Sequence, residues 1–137
     1  MTQPFIDTDV IIRFLTGDDP EKQAAATSLF EKVEQGLLTV QAPDTVIADA
    51  VYVLSSPRLY HIARSDIQEL LAALVRLPQF HVQNRSSVLR ALDIYAATRL
   101  DFGDTLIIAS MEQQGSHILY SYDADFDRIE GITRREP

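Results

Sequence analysis

Residues 4–15, PFIDTDVIIRFL, place a short apolar segment, one carboxylate and a longer, mostly apolar segment directly after one another. Pro4-Phe5-Ile6 has the composition of a short strand, and Thr8 to Leu15 is predicted to form a helix. Asp7 lies at the junction between them. A strand that passes at once into a helix predicts an α/β chain, and in such chains ligands bind beyond the strand ends.

The same alternation of short strands and longer helices continues along the chain. Further strands are predicted at 38–40, 80–82 and 118–121, and helices separate each from the next. Alternating elements imply a parallel sheet with helices on both faces. Because the sequence contains no repeat, low-complexity segment or linker, we predict a single α/β domain over residues 1–137.

Local signals mark several helix starts. Asp19 followed by Pro20 is typical of an N-cap and first helical residue. Ser65–Gln68 has the pattern of a capping box, and Ser86 or Ser87 is predicted to cap a later helix. The tail that contains Arg134 and Arg135 is predicted to be disordered.

Composition excludes several classes of protein. The 137 residues are 46% hydrophobic and 23% charged, which is ordinary for a globular domain. The absence of cysteine excludes disulfide scaffolds, thiol nucleophiles and thiolate metal sites. With no leader pattern and no long apolar run, a cytoplasmic location without membrane association is expected.

The charge balance is acidic, with 20 acidic and 12 basic residues and a formal net charge of −8. Taken alone, this argues against a protein that holds nucleic acid by neutralising phosphates. Thirteen of the acids are Asp and seven are Glu. An excess of Asp indicates caps, turns or a carboxylate site with short side chains.

Two aspartates follow predicted strands. Asp7 comes directly after the first strand, and Asp123 comes two residues after the last. Since the carboxyl ends of parallel strands share one edge of the sheet, both are candidates for a functional site at that edge. The alternative for each is an ordinary turn or cap carboxylate.

Two further aspartates lie in apolar helical segments. Asp49 lies within VIADAVYVL (46–54), where we predict burial and therefore either a functional role or a core partner, Arg13 or Arg90. Asp104 lies at the start of an apolar helix after Asp101. The alternative there is that Asp101 caps the helix and Asp104 is a first-turn acid favoured by the helix dipole.

If these four carboxylates converge, they repel one another unless cations or protons intervene. All-oxygen ligands suit Mg²⁺ or Mn²⁺ rather than zinc. Such sites suit the hydrolysis of phosphate esters, in which a metal activates the attacking water and stabilises the leaving oxygen. The histidines are scattered and are predicted to be structural or solvated; they are His61, His81 and His117.

Four stretches together resemble the PIN-domain family, specifically the bacterial VapC-like toxins. They occur in the family's order and span almost the whole chain: FIDTDVI with RFLTGDDP (5–11 and 13–20), ADAVYVL (48–54), LDFGD (100–104) and SYDADFDR (121–128). The resemblance implies a three-layer α/β/α sandwich with a central, mostly parallel sheet. It also implies an endoribonuclease that depends on Mg²⁺ or Mn²⁺ and is the toxin of a toxin–antitoxin pair.

Carried onto this chain, the resemblance assigns catalysis and metal binding to Asp7, Asp49, Asp104 and Asp123. The family usually has Glu at the position of Asp49. Asp is one methylene shorter, so the resemblance leaves open how tightly this side chain binds a metal and whether a second metal binds. The resemblance further implies an RNA substrate, a cognate antitoxin and a homodimer. Arg13 and Arg90 are candidates for RNA binding because Arg recognises phosphates bidentately.

Two alternatives stay open at this stage. One is a catalytically weak PIN-type module that binds RNA or protein, which the Asp49 departure and the acidic charge favour. The other is a phosphatase of the haloacid-dehalogenase type that uses Asp7 as nucleophile. That chemistry generally needs a late lysine, and both lysines here, Lys22 and Lys32, lie early in the chain.

Overall fold

A computed structural model describes residues 2–137 of the chain. Within that range, six α-helices come in three consecutive pairs with a short strand after each pair, and a 3₁₀ turn at Ala124–Arg128 precedes a fourth strand. The elements are α1 Thr8–Leu15, α2 Pro20–Glu34, β1 Val40–Ala42, α3 Asp44–Ser55, α4 Arg64–Val75, β2 Phe80–Val82, α5 Arg85–Ala97, α6 Phe102–Gln114, β3 Ile118–Tyr120 and β4 Thr133–Arg135. The predicted α/β class is confirmed.

The strands pair in parallel, as predicted. β1 pairs with β2, with Val40 opposite Phe80, and β3 pairs with β4. Pro4–Ile6 joins β1 through a single parallel bridge between Phe5 and Gln41, so this predicted strand is reduced to one paired residue. Within residues 2–137, the parallel strands of this α/β fold therefore form two sheets of two strands each.

Helix starts agree with the sequence signals where a side chain accepts a backbone hydrogen bond. The Asp19 carboxylate accepts from the Lys22 N–H at 3.1 Å, and Pro20 is the first helical residue. Two other starts were wrongly predicted. α4 begins at Arg64, before the capping-box serine, and α5 begins at Arg85 after Asn84, whose φ is 58°. Asn tolerates this left-handed conformation, so it turns the chain into the helix earlier than a serine cap.

The core lies between the helices and the β1–β2 pair. Leu54, Leu71 and Leu92, from three different helices, are fully buried. The ring of Phe30 lies 4.7 Å from that of Phe14 and 6.1 Å from that of Phe80, measured between centroids, so α1, α2 and β2 meet at one aromatic cluster. Among the helices of residues 2–137, none combines the length and the apolar character needed to span a membrane.

The tail predicted to be disordered is ordered instead. Arg134 lies in β4, and its guanidinium donates to both carboxylate oxygens of Asp127 at 2.9 and 3.1 Å. It also donates to the Ser121 carbonyl at 3.1 Å. The sequence prediction missed this because pairing with β3 and with the 3₁₀ turn supplies contacts that tail composition does not reveal.

We predict that Leu71→Ala lowers the free energy of unfolding by about 2–5 kcal/mol, because it removes a fully buried side chain and leaves a cavity. Leu37→Ala is the matched control, since Leu37 is 74% exposed. We expect it to change the same free energy by less than about 0.5 kcal/mol. Urea unfolding followed by circular dichroism measures both, and equal losses would contradict the described core.

Candidate functional site

Asp104 lies in the first turn of α6 and is half-buried. Asp101 occupies the N-cap position, where its carbonyl accepts from the Thr105 N–H at 3.0 Å, but its side chain makes no capping hydrogen bond. Burial raises the pKa of the Asp104 carboxyl, and the carboxylates of Asp101, Asp123 and Asp125 raise that pKa further. We call these four residues the acidic cluster.

Asp123 is held beyond the end of β3 by local hydrogen bonds. Its N–H donates to the Ser121 hydroxyl at 3.0 Å, and its carboxylate accepts from the Asp125 N–H at 2.9 Å. Asp123 therefore forms a turn, as the alternative of an ordinary turn carboxylate predicted, and it also belongs to the acidic cluster. Asp125 also adds negative charge near Asp104.

Asp7 caps α1. Its carboxylate accepts from the Thr8 N–H at 2.6 Å, and the Thr8 hydroxyl donates to the Val46 carbonyl at 3.4 Å. The second bond sets the start of α1 against α3. Asp7 is exposed, so one oxygen serves the cap while the side chain stays open to solvent.

The predicted burial of Asp49 was wrong, because the side chain is exposed. The helix α3 buries one broad face, made of Val46, Ile47, Ala50, Val51 and Leu54. Thr45, Asp49 and Tyr52 lie along the opposite stripe and face solvent. The apolar composition of α3 suggested burial all round, whereas the helix packs on one side only.

Neither arginine proposed as a core partner of Asp49 has that role. Arg13 Nη1 lies 3.2 Å from a carboxylate oxygen of Asp18, and Arg90 makes two hydrogen bonds to Glu112 at 2.8 and 3.2 Å. The Tyr60 hydroxyl donates to Asp18 at 2.7 Å and lowers the pKa of that carboxyl. Both guanidiniums are thus paired, and their proposed role in RNA binding gains no support from these contacts.

The structure brings two of the four predicted site residues near each other. Asp104 and Asp123 belong to the acidic cluster, whereas Asp7 and Asp49 lie on the neighbouring helices α1 and α3. Nowhere in residues 2–137 do three acidic or histidine side chains stand close enough together to hold a metal ion. Carboxylate oxygens nevertheless suit Mg²⁺ or Mn²⁺ in chemical type, and a divalent cation would offset the charge crowded around Asp104.

A groove of about 710 Å³ has Asp101 of the acidic cluster in its wall, and we call it the side groove. It is lined by α3 residues 48, 51, 52 and 55, by residues 61–64, by Tyr95 and by residues 101–103 at the start of α6. Arg64 donates to the Leu100 carbonyl, at 2.8 Å from Nη1, and stacks over the Tyr95 ring at 3.9 Å. No local sequence pattern marks Arg64, because its partners are more than 30 residues away.

We predict that Asp104→Asn raises the Tm at neutral pH. The raised pKa means that folding disfavours the charged carboxylate, so stability is highest at low pH and falls as pH rises above the ordinary value of 3.8. Asn cannot ionise, so the variant does not lose stability at this position as the pH rises. The gain in Tm should therefore shrink as the pH falls towards 3.8, which thermal unfolding across a pH series measures.

Asp127→Asn is the matched control, because the pKa of Asp127 is shifted in the direction opposite to that of Asp104. The hydrogen bond from Arg134 lowers the pKa of Asp127, so its contribution to stability is present at neutral pH and is lost on acidification. We expect no stabilisation from this variant at neutral pH. A Tm for Asp104→Asn that equals or falls below that of the wild type would contradict the charge crowding around Asp104.

Comparison with known proteins places this arrangement in a family. The PIN domain model matches residues 5–132, nearly the whole chain. No curated protein gives a significant match. PIN domains are generally nucleases and typically use divalent metal ions. The match leaves the phosphatase alternative without support, and the six helices and short parallel strands agree with it. The chain therefore belongs to the PIN domain family.

Proposed function

We propose that this protein is an endoribonuclease that depends on Mg²⁺ or Mn²⁺ and is the VapC-like toxin of a toxin–antitoxin pair. One observation carries the proposal: Asp104 is half-buried in the first turn of α6, and burial together with the charges of Asp101, Asp123 and Asp125 raises the pKa of its carboxyl, in a chain that belongs to a nuclease family. A carboxyl perturbed by burial and by neighbouring charges is typical of a functional site. A bound cation would relieve the repulsion between these charges.

In this proposal Asp104 and Asp123 bind the metal from the acidic cluster, and Asp7 and Asp49 approach it from α1 and α3. The bound ion supplies charge neutralisation and an activated water for attack on a phosphodiester. The hydrogen bonds of Asp123 to Ser121 and Asp125 orient its carboxylate at the end of β3. The bond from Thr8 to Val46 sets Asp7 and Asp49 on adjoining helices.

Asp49 is the departure from the family pattern, and its exposure makes it a direct probe of the site. Glu is one methylene longer and occupies the same exposed stripe of α3 without entering the core. We therefore propose that Asp49 reaches the metal less closely than a Glu and that this limits metal affinity.

We predict that Asp7→Asn, Asp104→Asn and Asp123→Asn each lower metal-dependent cleavage of RNA by about 100-fold or more, because metal polarisation contributes several kcal/mol to the transition state. Asp49→Glu should retain cleavage and lower the Mn²⁺ concentration needed for half-maximal rate. The measurement is the cleavage rate of a mixed RNA pool in Mg²⁺ or Mn²⁺, with a chelator as the zero point.

Asp93→Asn is the matched control, since Asp93 is an exposed acid on α5 whose carboxylate contacts Gln68, and we expect its cleavage rate to equal that of the wild type. Cleavage that persists in chelator, or in Asp104→Asn, would refute the site. Binding of RNA without cleavage in any metal would instead identify the second candidate, a PIN-type binding module, which the short Asp49 side chain favours.

A second surface supports the proposed antitoxin partner. Between α2 and α4 runs a groove of about 1120 Å³, floored by apolar side chains such as Phe14, Leu70 and Leu74. Its rim carries the acids Glu31, Glu34, Asp66 and Glu69. An apolar floor with an acidic rim suits an amphipathic helix whose polar side carries Lys and Arg. We propose this groove as the docking surface for a basic segment of the antitoxin.

The charge of this rim gives a direct test. A synthetic amphipathic helical peptide with leucines on one face and arginines on the other is the probe, and fluorescence anisotropy measures its affinity. The double variant Glu31→Arg/Glu34→Arg should weaken binding by about five- to tenfold, since each exposed ion pair contributes up to about 1 kcal/mol. Glu21→Arg, on α2 outside the groove, is the control, and equal effects of both variants would contradict the docking surface.

The homodimer implied by the family resemblance stays a prediction, and sedimentation equilibrium tests it.

A further inference from the structure

We propose that the side groove binds one nucleobase of single-stranded RNA, which stacks on the ring of Tyr52. The inference rests on the proposed function, because it names the part of the substrate that this groove holds next to the scissile phosphate. The inference concerns Tyr52, Ser55 and His61, which are not among the proposed metal-binding residues and have no role in the function proposed above.

The position of the groove is the first argument. Tyr52 lies three residues after Asp49 on α3, so the two side chains are neighbours on the exposed stripe of that helix. On the facing wall, Gly103 lines the groove and directly precedes Asp104. A base held between these walls therefore brings its own phosphate beside two of the proposed metal-binding residues.

The chemistry of the walls is the second argument. Tyr52 is 75% exposed and lines the side groove, so its ring is accessible to a ligand that enters the groove. An exposed ring beside a concave surface is the means by which proteins hold unpaired bases, since every base has a face that stacks. Val51 and Phe102 supply apolar surface behind it.

Polar groups for the edge of a base stand in the same groove. The Ser55 hydroxyl donates to the Tyr52 carbonyl at 3.2 Å, which leaves its lone pairs to accept from an exocyclic amine. His61 also lines the groove, and its backbone N–H donates to the Ser56 carbonyl at 3.0 Å, which holds this part of the chain in place. A few polar groups on mainly apolar walls are typical of sites for small planar ligands.

The groove is also preformed. The guanidinium of Arg64 joins the start of α4 to the segment before α6, through its bonds to Leu100 and its stacking on Tyr95. The volume of about 710 Å³ lies in the range of ligand pockets, so a nucleotide enters without opening of the core. A protein segment is the competing occupant, but the apolar groove with a charged rim lies elsewhere, between α2 and α4.

Binding measured without metal separates this proposal from catalysis. The probe is a short, fluorescently labelled single-stranded RNA in chelator, compared by anisotropy with an abasic strand of the same length. Wild-type protein, Tyr52→Phe and Tyr52→Leu are compared, because Phe keeps the stacking face and Leu keeps only apolar bulk. Leu37→Ala, an exposed apolar position outside the groove, is the control.

We expect wild-type protein and Tyr52→Phe to bind RNA within about twofold of each other and to prefer it to the abasic strand. Tyr52→Leu should bind RNA about fivefold or more weakly and lose that preference, since stacking contributes about 1–3 kcal/mol per base. Circular dichroism should give the same spectrum for all variants because Tyr52 lies outside the core.

Three outcomes overturn the proposal: equal affinity of wild-type protein for RNA and the abasic strand, unchanged binding in Tyr52→Leu, or a loss in Tyr52→Phe as large as in Tyr52→Leu. Equal affinity for RNA and the abasic strand would leave a protein segment as the occupant of the side groove. Cleavage in Mg²⁺ with no dependence of binding on Tyr52 refutes the base site and keeps the nuclease. Base-dependent binding without cleavage keeps the base site and refutes the nuclease.

Discussion

The bond between the Arg64 guanidinium and the Leu100 carbonyl is the contact on which the geometry of the site depends. It fixes the chain just before α6, and α6 begins with Asp101 and carries Asp104 in its first turn. Stacking on Tyr95 holds the same guanidinium against α5. Because Arg is always charged and bonds in a planar fork, Lys at this position would keep the charge and lose the geometry. The acidic cluster and the side groove thus share one anchor.

The second constraint is the repulsion between the charges of the acidic cluster, which raises the pKa of Asp104. Burial and three neighbouring carboxylates oppose ionisation of Asp104, so the fold gives up stability at neutral pH to keep this group where it lies. By contrast, the carboxylates of Asp18, Glu112 and Asp127 have lowered pKa values because each accepts a hydrogen bond from a nearby donor. The acids with shifted pKa values therefore divide into three that are stabilised by hydrogen bonds and Asp104, whose charge a divalent cation would offset.

Sequence patterns predicted the order of elements, because strand and helix periodicity and the Asp19–Pro20 cap are local properties. They also placed Asp7, Asp104 and Asp123 at element ends, as observed. The sequence patterns failed where packing between distant segments determines the exposure of a residue or the order of a segment. Asp49 is exposed because α3 packs on one face, and the tail is ordered because β4 pairs with β3. Arg64 and the side groove were missed because they depend on contacts between residues far apart in sequence.

The net charge of −8 acquires a more specific meaning once these groups are located. Phosphate neutralisation is a weak source of RNA affinity for a chain of this net charge, and Arg13, Arg90 and Arg134 are in addition each paired with a carboxylate. Metal ions offset only the charge near the scissile phosphate. Affinity must then come largely from contacts that carry no charge, and stacking of a base on Tyr52 is one that the surface offers beside the acidic cluster. Under the proposed function, an acidic nuclease binds RNA by recognising bases as well as phosphates, and the acidic rim between α2 and α4 is the surface proposed for a basic protein partner.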